Sequence, residues 1–312
     1  MPIVQGGGDS AVVARCRGES SCGRLLPELR PCDSGALGEF ARRHFRALVA
    51  RSRGRRSRAI WGVESLMALV AATPFLAEQR YQDYTAEQHS VWAELVSRRR
   101  PQIEAYACRA YLDGYKIIGL EDDRIPNLAA ISARLKPRTG WRTTPVSGFL
   151  PSDAFFEMLD ARMFPTTTWL RSRESLGYTP EPDIFHDVFG HVPMHAHPVF
   201  ADFLQHYGSV CARIKDKETL ERLGRLFWYT VEFGLIREGG TVKVYGSGVI
   251  SSQNECTNVI EGGCEVRDFS LDEVLATPVR VDRIHHLLFA IESFDQIYAA
   301  MRQAETRMLA RS

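Results

Sequence analysis

The chain has 312 residues, of which 45% are hydrophobic, 25% charged and 10% aromatic. These proportions are typical of a globular protein with a sizeable core, and they exclude a wholly disordered chain, a collagen and a coiled coil. The formal net charge of +1 gives the whole chain no electrostatic preference for nucleic acid or an anionic membrane. No apolar run approaches the roughly 18 residues of a membrane-spanning helix, and the first residues lack the apolar segment of a signal peptide.

The seven cysteines are odd in number and form no C-x-x-C pair. This usage is typical of reduced thiols in a cytoplasm rather than of a disulfide framework or a cysteine-based zinc site. We therefore expect a cytoplasmic protein whose partners are small molecules, with neither nucleic acid nor a membrane among them. The sequence leaves the oligomeric state open, and a monomer is compatible with it.

Residues 1–58 differ from the rest of the chain in charge. They contain twelve arginines, no lysine and five acidic residues, a net charge of +7, so residues 59–312 carry about −6. A basic segment can contact nucleic acid or anionic lipid, but this one has no recognisable reading motif. We interpret 1–58 as a poorly ordered solvated extension, or as an extension from an upstream start codon, and 59–312 as the globular domain.

Helical periodicity dominates the chain beyond residue 59. It predicts helices at 60–72, 85–99, 101–115, 127–135, 151–162, 198–213, 217–237 and 292–310. The clearest strand is 241–245, in which valines alternate with polar residues. It follows Gly239 and Gly240, which we expect to end the preceding helix. The sequence therefore predicts a predominantly α fold with a small β component.

The densest chemistry lies in PEPDIFHDVFGHVPMHAH (180–197), which contains four of the nine histidines. His186 and His191 are five residues apart, which on an ideal α-helix separates them by about 140° rather than placing them on one face. A helix that ends near Gly190 would let His191 turn back toward His186. The spacing is not that of H-E-x-x-H, so it does not indicate a zinc protease.

Glu232 is the best candidate for a third ligand. It lies in the apolar stretch RLFWYTVEFGLIRE (225–238), where a buried carboxylate is costly unless it is paired or bound to a cation. Two neutral imidazoles and one carboxylate leave three open coordination positions, as in the facial triad of non-haem Fe(II) oxygenases. The same donors suit a zinc hydrolase, with Asp187 as general base. In the alternative without metal, the histidines are core or helix-end residues and Glu232 pairs with an arginine.

The other two histidines of this stretch and one tryptophan carry weaker patterns. His195 and His197 have no evident third partner, so we expect them to be exposed loop residues. Trp228 precedes Glu232 by four residues, which on a continuous helix places the indole on the same face, one turn away. Such a ring could form an aromatic wall beside the metal, or it could simply belong to the core.

Unusual segments match a known family in their order and spacing. They are TGW (139–141), GFLPSDAFFEML (148–159), FPTTTWLR (164–171), EPDIFHDVFGHVP (181–193), FWYTVEFGL (227–235), YGSGVISS (245–252) and ESF (292–294). With them the chain resembles the pterin-dependent aromatic amino acid hydroxylases, most closely the compact bacterial phenylalanine hydroxylases. The resemblance runs from about Tyr84 to Phe294, and it implies the catalytic-domain fold of that family for 59–312.

This resemblance also implies a chemistry. It indicates that His186, His191 and Glu232 bind Fe(II), and that a tetrahydropterin such as tetrahydrobiopterin and O2 support hydroxylation of an aromatic amino acid, most simply phenylalanine to tyrosine. It assigns Leu150, Phe155 and Asp187 to the pterin side of the site. The positions that it assigns to the substrate side are Arg171, Thr179, Asp183, Trp228 and Ser251. A guanidinium suits the substrate carboxylate, and a serine hydroxyl can orient a metal-binding histidine.

The substrate is the least specific part of the resemblance. Trp228 resembles the residue at the matching position of phenylalanine and tyrosine hydroxylases. Val281 stands where tyrosine hydroxylases tend to have Asp, and the two positions together favour phenylalanine as the substrate. Hydroxylation of phenylalanine at C3, or of tryptophan, remains an alternative. The chain departs from the family at Phe227, a position that is commonly Tyr, and in YTPEPD (178–183), where many bacterial relatives have Leu-Gln before EPD.

Overall fold

The structure is a computed structural model that describes residues 73–177, 179–281 and 283–309. The predicted extension 1–58 and the predicted helix 60–72 lie outside this part of the chain. The α-helices are α1 (Ala86–Tyr106), α2 (Arg109–Ile118), α3 (Leu128–Thr139), α4 (Ser152–Asp160), α5 (Pro198–Arg213), α6 (Lys217–Phe227), α7 (Ser247–Ser251), α8 (Gln253–Ile260), α9 (Leu271–Ala276) and α10 (Phe294–Leu309). The predominantly α fold that the sequence predicts is confirmed. Within the described ranges, no helix has both the length and the apolar character that crossing a bilayer requires.

The helix predicted at 85–99 and the first part of the helix predicted at 101–115 are one continuous helix, α1, with Pro101 inside it. The rest of the second predicted helix belongs to α2. Thr85 and Gln88 begin this helix with a capping box, in which each side chain bonds the other residue's backbone N–H. Its buried face continues past the proline to Ile103. Packing of that face outweighs the hydrogen bond that proline cannot donate, so the predicted break at residue 100 was wrong.

The strands are β1 (Arg142–Val146), β2 (Met163–Thr167), β3 (Leu235–Glu238), β4 (Thr241–Val244), β5 (Glu265–Asp268) and β6 (Leu287–Ile291). They form a parallel pair, β1 with β2, and a four-stranded sheet in the order β4-β3-β6-β5. In the larger sheet, only β3 and β4 run antiparallel. Both sheets are small, as the sequence predicts.

The segment 233–240 differs from its predicted structure. We expected the helix beginning at residue 217 to continue to 237, but β3 occupies Leu235–Glu238 and pairs with β4 as a hairpin. Gly239 and Gly240 form the two-residue turn, with φ angles of 58° and 78°. Two consecutive residues with positive φ suit the twist of a tight hairpin, and glycine adopts them without a steric penalty. The glycines therefore connect two strands and do not end a helix.

A single large apolar core holds the helices around the middle of the chain. The Tyr111 hydroxyl donates to the Phe189 carbonyl oxygen at 2.7 Å, which ties α2 to the histidine-bearing segment. Gly114 lies directly against Pro193, because a Cβ at residue 114 would lie 2.0 Å from the Pro193 carbonyl oxygen. This close approach sets the distance between α2 and the histidine-bearing segment.

Candidate metal centre

The two histidines of the H-x4-H pair lie on a π-helix, Phe185–His191, that runs directly into a 3-10 segment, Val192–Ala196. A π-helix has hydrogen bonds from residue i to residue i+5, so side chains five residues apart come to the same side of the helix. The Nε2 atoms of His186 and His191 are therefore only 3.2 Å apart. The prediction that the helix ends near Gly190 was wrong: a wider turn, and not a break, brings the histidines together.

Glu232 lies at the end of a second π-helix, Trp228–Glu232, that follows α6. Its side chain is 3% exposed, and its carboxylate oxygens lie 3.6 Å from His186 Nε2 and 3.4 Å from His191 Nε2. Donors that share one face of an octahedral ion at about 2.1 Å lie about 3 Å apart, close to these separations. Among the described residues, this is the only group of three or more His, Cys, Asp and Glu side chains close enough to hold a metal ion. The arrangement fits one divalent cation.

Two serines of α7 form hydrogen bonds to two of these metal donors, His186 and Glu232. Ser251 Oγ donates to the Ser247 carbonyl oxygen at 2.8 Å, which uses its only proton. The 2.9 Å contact between Ser251 Oγ and His186 Nδ1 must then be donated by the imidazole. This tautomer leaves the Nε2 lone pair of His186 facing the other donors. Ser247 Oγ in turn donates to Glu232 Oε2 at 2.7 Å.

Burial keeps the imidazole of His186 neutral. It lowers the pKa of His186 to about 3, against the opposing attraction of the Glu232 carboxylate. A neutral imidazole has the lone pair that a metal requires. Ser251 was predicted from the sequence, but Ser247 was not. The spacing of four residues between these two serines in YGSGVISS was the available signal.

Asp187 lies next to the first histidine and is almost completely buried. Its Oδ2 accepts hydrogen bonds from the Thr167 backbone N–H at 2.7 Å and from Thr167 Oγ1 at 2.8 Å, which attaches the π-helix to β2. Burial raises the pKa of Asp187 to about 6, although both of these hydrogen bonds act in the opposite direction. This carboxyl group can therefore exchange a proton near neutral pH.

His195 is not the exposed loop residue that the sequence analysis expected. It is 1% exposed, and its ring packs against Phe164 and Trp141 with centroid separations of 4.6 Å and 4.7 Å. Its Nδ1 lies 3.0 Å from the His191 carbonyl oxygen, so Nδ1 carries the proton. Burial lowers the pKa of His195 to about 3. His197 is half-buried and caps α5, where its side chain accepts the Phe200 backbone N–H.

Arg171 and Asp183 form a buried pair, with side chains that are 8% and 0% exposed. Arg171 Nε and Nη2 each donate to an Asp183 carboxylate oxygen at 2.8 Å, a bidentate arrangement that fixes the guanidinium plane. Asp183 also accepts from the backbone N–H of His186 at 3.1 Å. The pair thus connects the predicted substrate side to the metal-facing π-helix.

Trp228 does not lie one α-helical turn from Glu232 as predicted. The second π-helix has its hydrogen bond from the Phe233 N–H to the Trp228 carbonyl oxygen, at 2.8 Å. The indole consequently packs against Phe233, five residues on, with a centroid separation of 4.9 Å.

Thr179, which was predicted on the substrate side, is half-buried in the loop before the first π-helix. Its hydroxyl donates to the Glu181 carbonyl oxygen at 3.1 Å.

The two residues predicted to contact a pterin have different exposure. Leu150 is half-buried and packs against the apolar core. Phe155 is 8% exposed, and its ring meets the Phe227 ring edge-on at a centroid separation of 5.8 Å. Among the described residues, the contacts of Phe155 are therefore those of a core side chain. The roles of both side chains toward a pterin stay a prediction.

The helical fold and the donor set together define a mononuclear metal protein of the two-histidine, one-carboxylate class. Residues 76–311 match the sequence profile of the biopterin-dependent aromatic amino acid hydroxylases. The chain therefore belongs to this family, as the resemblance indicated.

Individual relatives agree with the family match. Phenylalanine-4-hydroxylase of Chromobacterium violaceum is 39% identical over 230 residues, which are 73% of this chain and 77% of that protein. Phenylalanine-4-hydroxylase of Vibrio cholerae is 39% identical over 224 residues, or 72% and 77% of the two chains. The chain is thus similar to these enzymes over most of their length.

Solved structures of the Chromobacterium violaceum enzyme have the same fold. One, which contains iron(III) and oxidised 7,8-dihydrobiopterin, has a TM-score of 0.72 at 36% identity and covers 80% of this chain and 92% of that one. Another, with iron and phenylalanine bound, has a TM-score of 0.70 at 35% identity, with coverages of 78% and 92%. The similarity extends over almost all of the solved chains.

Proposed function

We propose that this chain is a non-haem Fe(II) monooxygenase that uses a tetrahydropterin and O2 to convert phenylalanine to tyrosine. The observation that supports this function most strongly is the His186–His191–Glu232 group, whose donor atoms all lie within 4.8 Å of one another. Membership in the hydroxylase family and the phenylalanine-4-hydroxylase relatives support phenylalanine as the substrate and C4 as the ring position.

Iron is the metal that we assign to this site, held by His186, His191 and Glu232. Two neutral imidazoles and one carboxylate leave a divalent ion with net positive charge and open positions for other ligands. Iron and tetrahydropterin, when bound, supply the activation of O2 that no side chain can provide. The protein positions the metal donors: Ser251 fixes the His186 tautomer, and Ser247 orients the Glu232 carboxylate.

We assign the amino acid carboxylate to Arg171. Asp183 occupies Nε and one Nη2 proton, while Nη1 has no hydrogen-bond partner within the described ranges. The guanidinium is therefore pre-oriented and still has donors for a second carboxylate. Thr179 lies in the adjoining loop, and Trp228 and Ser251 complete the proposed substrate side. Leu150, Phe155 and Asp187 are the proposed pterin side, where Asp187 can hold or release a proton.

The test is product identification. Iron-loaded protein is incubated in air with tetrahydrobiopterin and, separately, phenylalanine, tyrosine and tryptophan, and the products are separated and compared with standards. We expect para-tyrosine from phenylalanine as the main product. meta-Tyrosine or a hydroxytryptophan as the main product would replace the assigned ring position or substrate. No hydroxylated amino acid from any of the three would refute the proposal.

The state of the cysteines is that expected of a protein in a reducing compartment. Cys108, Cys211, Cys256 and Cys264 are all free and buried. Burial raises the pKa of the Cys108 and Cys211 thiols to about 12, which keeps them protonated and unreactive. Free thiols support the proposed cytoplasmic location. Small molecules are the partners that the proposed reaction requires.

A further inference from the structure

A chain of hydrogen bonds runs through three side chains behind the substrate side of the site. The Trp228 indole N–H donates to His285 Nε2 at 2.8 Å, and His285 Nδ1 lies 2.9 Å from Glu255 Oε1. His285 and Glu255 are 7% and 9% exposed. The order of the three groups is carboxylate, imidazole and indole, with each distance within the range of a good hydrogen bond.

The direction of each hydrogen bond follows from the chemistry of the groups. An indole nitrogen can only donate, so His285 Nε2 must be the acceptor and carries no proton. The proton of the neutral imidazole is then on Nδ1, from which it is donated to Glu255. Glu255 therefore selects the only neutral tautomer of His285 that can bind the indole.

His285 is also held from other directions. Its ring lies over the Phe233 ring with a centroid separation of 4.0 Å, and its carbonyl oxygen accepts from Asn258 Nδ2 at 2.7 Å. The adjacent residues Ile284 and His286 are exposed, so this single side chain turns inward from an exposed stretch. An inward histidine with every ring nitrogen bonded is a built contact rather than ordinary core packing.

These hydrogen bonds end at Trp228, on the same π-helix as the metal-facing residue Glu232. Trp228 begins the second π-helix and Glu232 ends it, while Phe233, the ring between Trp228 and His285, is the next residue. The indole is half-buried, so part of its surface is available to a ligand. Whatever fixes the indole plane also fixes the shape of the wall next to the metal centre.

We propose that His285, held by Glu255, is a positioning residue that locks the indole of Trp228 and thereby determines which aromatic side chains the site accepts. The inference rests on the proposed function, because it needs Trp228 to face the substrate. A free indole could rotate about its side-chain bonds and admit a larger bicyclic ring. A locked indole restricts the site to a single six-membered ring.

The contact itself is tested by NMR of the indole N–H groups in the full chain, which has five tryptophans. Loss of one resonance in Trp228→Phe assigns the Trp228 signal. We expect this signal to move and its proton to exchange faster with solvent in His285→Leu, while His285→Gln, which keeps a carbonyl acceptor, retains the slow exchange. The exposed neighbour offers a matched control, His286→Leu, which should leave the signal unchanged. A Trp228 signal that is the same in His285→Leu overturns the proposal.

The consequence for specificity is tested with the iron-loaded variants. In His285→Leu we expect the ratio of kcat/KM for phenylalanine to that for tryptophan to fall about two- to tenfold, the range that one neutral hydrogen bond supports. Bound iron should not change, and His285→Gln should recover most of the ratio. In a Trp228→Phe background, His285→Leu should have no further effect on the ratio.

The outcomes separate the two proposals. Equal effects of His285→Leu in both backgrounds would mean that the residue acts only through general stability, and would overturn the positioning role. An unchanged ratio in His285→Leu with an active wild-type protein would overturn it as well and leave the proposed function intact. A wild-type protein that hydroxylates no aromatic amino acid would refute the proposed function, and the inference with it.

Discussion

The protonation state of single side chains determines what the metal centre can bind. His186 offers Nε2 because Ser251 can only accept from Nδ1, and Glu232 is oriented by the Ser247 hydroxyl. These serines do not belong to the donor set, yet they decide the tautomer and rotamer of the donors.

Removal of one donor should abolish metal binding without unfolding the chain. We expect His186→Ala, His191→Ala and Glu232→Ala each to lose most bound Fe(II) and all hydroxylation, because two donors hold a divalent ion far more weakly than three. The exposed His286→Ala is the matched control and should keep its iron. Metal analysis after anaerobic reconstitution measures the change. Full iron occupancy in Glu232→Ala would remove this residue from the site.

The buried pair of Arg171 and Asp183 makes Arg171→Lys an informative variant. Lysine keeps the positive charge but has no planar guanidinium to orient toward the substrate carboxylate, and a charge-assisted contact of this kind contributes about 1.5–3 kcal/mol. We expect kcat/KM for phenylalanine to fall about ten- to a hundredfold, with unchanged iron content. Less hydroxylated product should form per pterin oxidised, because a misplaced ring reacts poorly.

A control separates substrate binding from stability at this pair. Arg173 forms exposed ion pairs with Glu87 and Glu94, so Arg173→Lys should change neither the kinetics nor the unfolding midpoint by a large amount. If Arg171→Lys lowered only the midpoint and left KM and coupling unchanged, the pair would be structural and the carboxylate would bind elsewhere.

His195 should make the metal-free protein sensitive to acid. Its pKa of about 3 in the folded state lies below the ordinary value of 6.5, because burial disfavours the charged ring. Protonation then favours the unfolded chain, so stability is complete above pH 6.5 and is lost as the pH falls below it. Between pH 7 and pH 5 the loss from this residue is about 2 kcal/mol.

Urea unfolding of wild type and His195→Leu at both pH values measures this contribution. The wild type should lose about 2 kcal/mol more than the variant over this interval, because leucine cannot be protonated. Other buried groups titrate in both proteins and cancel in the comparison. Equal losses in the two proteins would show that the folded state accommodates a charged His195.

At the scale of elements, the sequence predicted where helices occur better than what kind they are. Apolar periodicity located α5 correctly at 198–213, and the helix that it predicted at 217–237 contains the glutamate-bearing segment. It could not predict the π-helices, because their wider turn depends on contacts with distant elements, such as Asp187 with β2. The same limit explains β3, whose pairing with β6 joins residues more than fifty positions apart.

Gly190 tests how the first π-helix sits on α7. A Cβ at this residue would lie 3.1 Å from both the Cβ and the carbonyl oxygen of Ser247. Since Ser247 binds Glu232 and its carbonyl oxygen accepts from Ser251, α7 would have to move and disturb two donors. We expect Gly190→Ala to weaken Fe(II) binding about tenfold, the lower end of the effect of losing an outer hydrogen bond.

The matched control for this variant is Gly177→Ala, where a Cβ would meet no atom within 4 Å. Its Fe(II) affinity should equal that of the wild type. Metal titration with a competing chelator measures both variants. An unchanged affinity in Gly190→Ala would mean that α7 adapts without moving its serines.

For the complete chain, the boundary predicted at residue 58 separates the basic N-terminal segment from all the proposed site residues. The proposed metal, substrate and pterin residues all lie between Leu150 and Ser251, and the family match begins at residue 76. We expect a chain that starts at Ala59 to keep iron binding and turnover within about twofold, since the +7 segment has little apolar periodicity. The same assays with the full chain are the control, and an insoluble or inactive shortened chain would contradict the boundary.

Long-range placement of polar residues was the part of the site that the sequence could not predict. Glu255 and His285 are thirty residues apart and lie outside the matching motifs, so no spacing connected them with Trp228. His195 was misjudged for the same reason, because its burial depends on Trp141 and Phe164 from other elements. Motif residues could be identified from sequence; their supporting residues required the folded chain.

The origin of the oxygen atom in the product tests most directly whether this protein is an iron-dependent monooxygenase. Protein loaded anaerobically with Fe(II), or with Zn(II) for comparison, is given tetrahydrobiopterin and phenylalanine under isotopically heavy O2, and the product is analysed by mass spectrometry. We predict tyrosine with one heavy oxygen atom from the iron protein and no product from the zinc protein. Oxygen derived from water, or equal turnover with zinc, would contradict it.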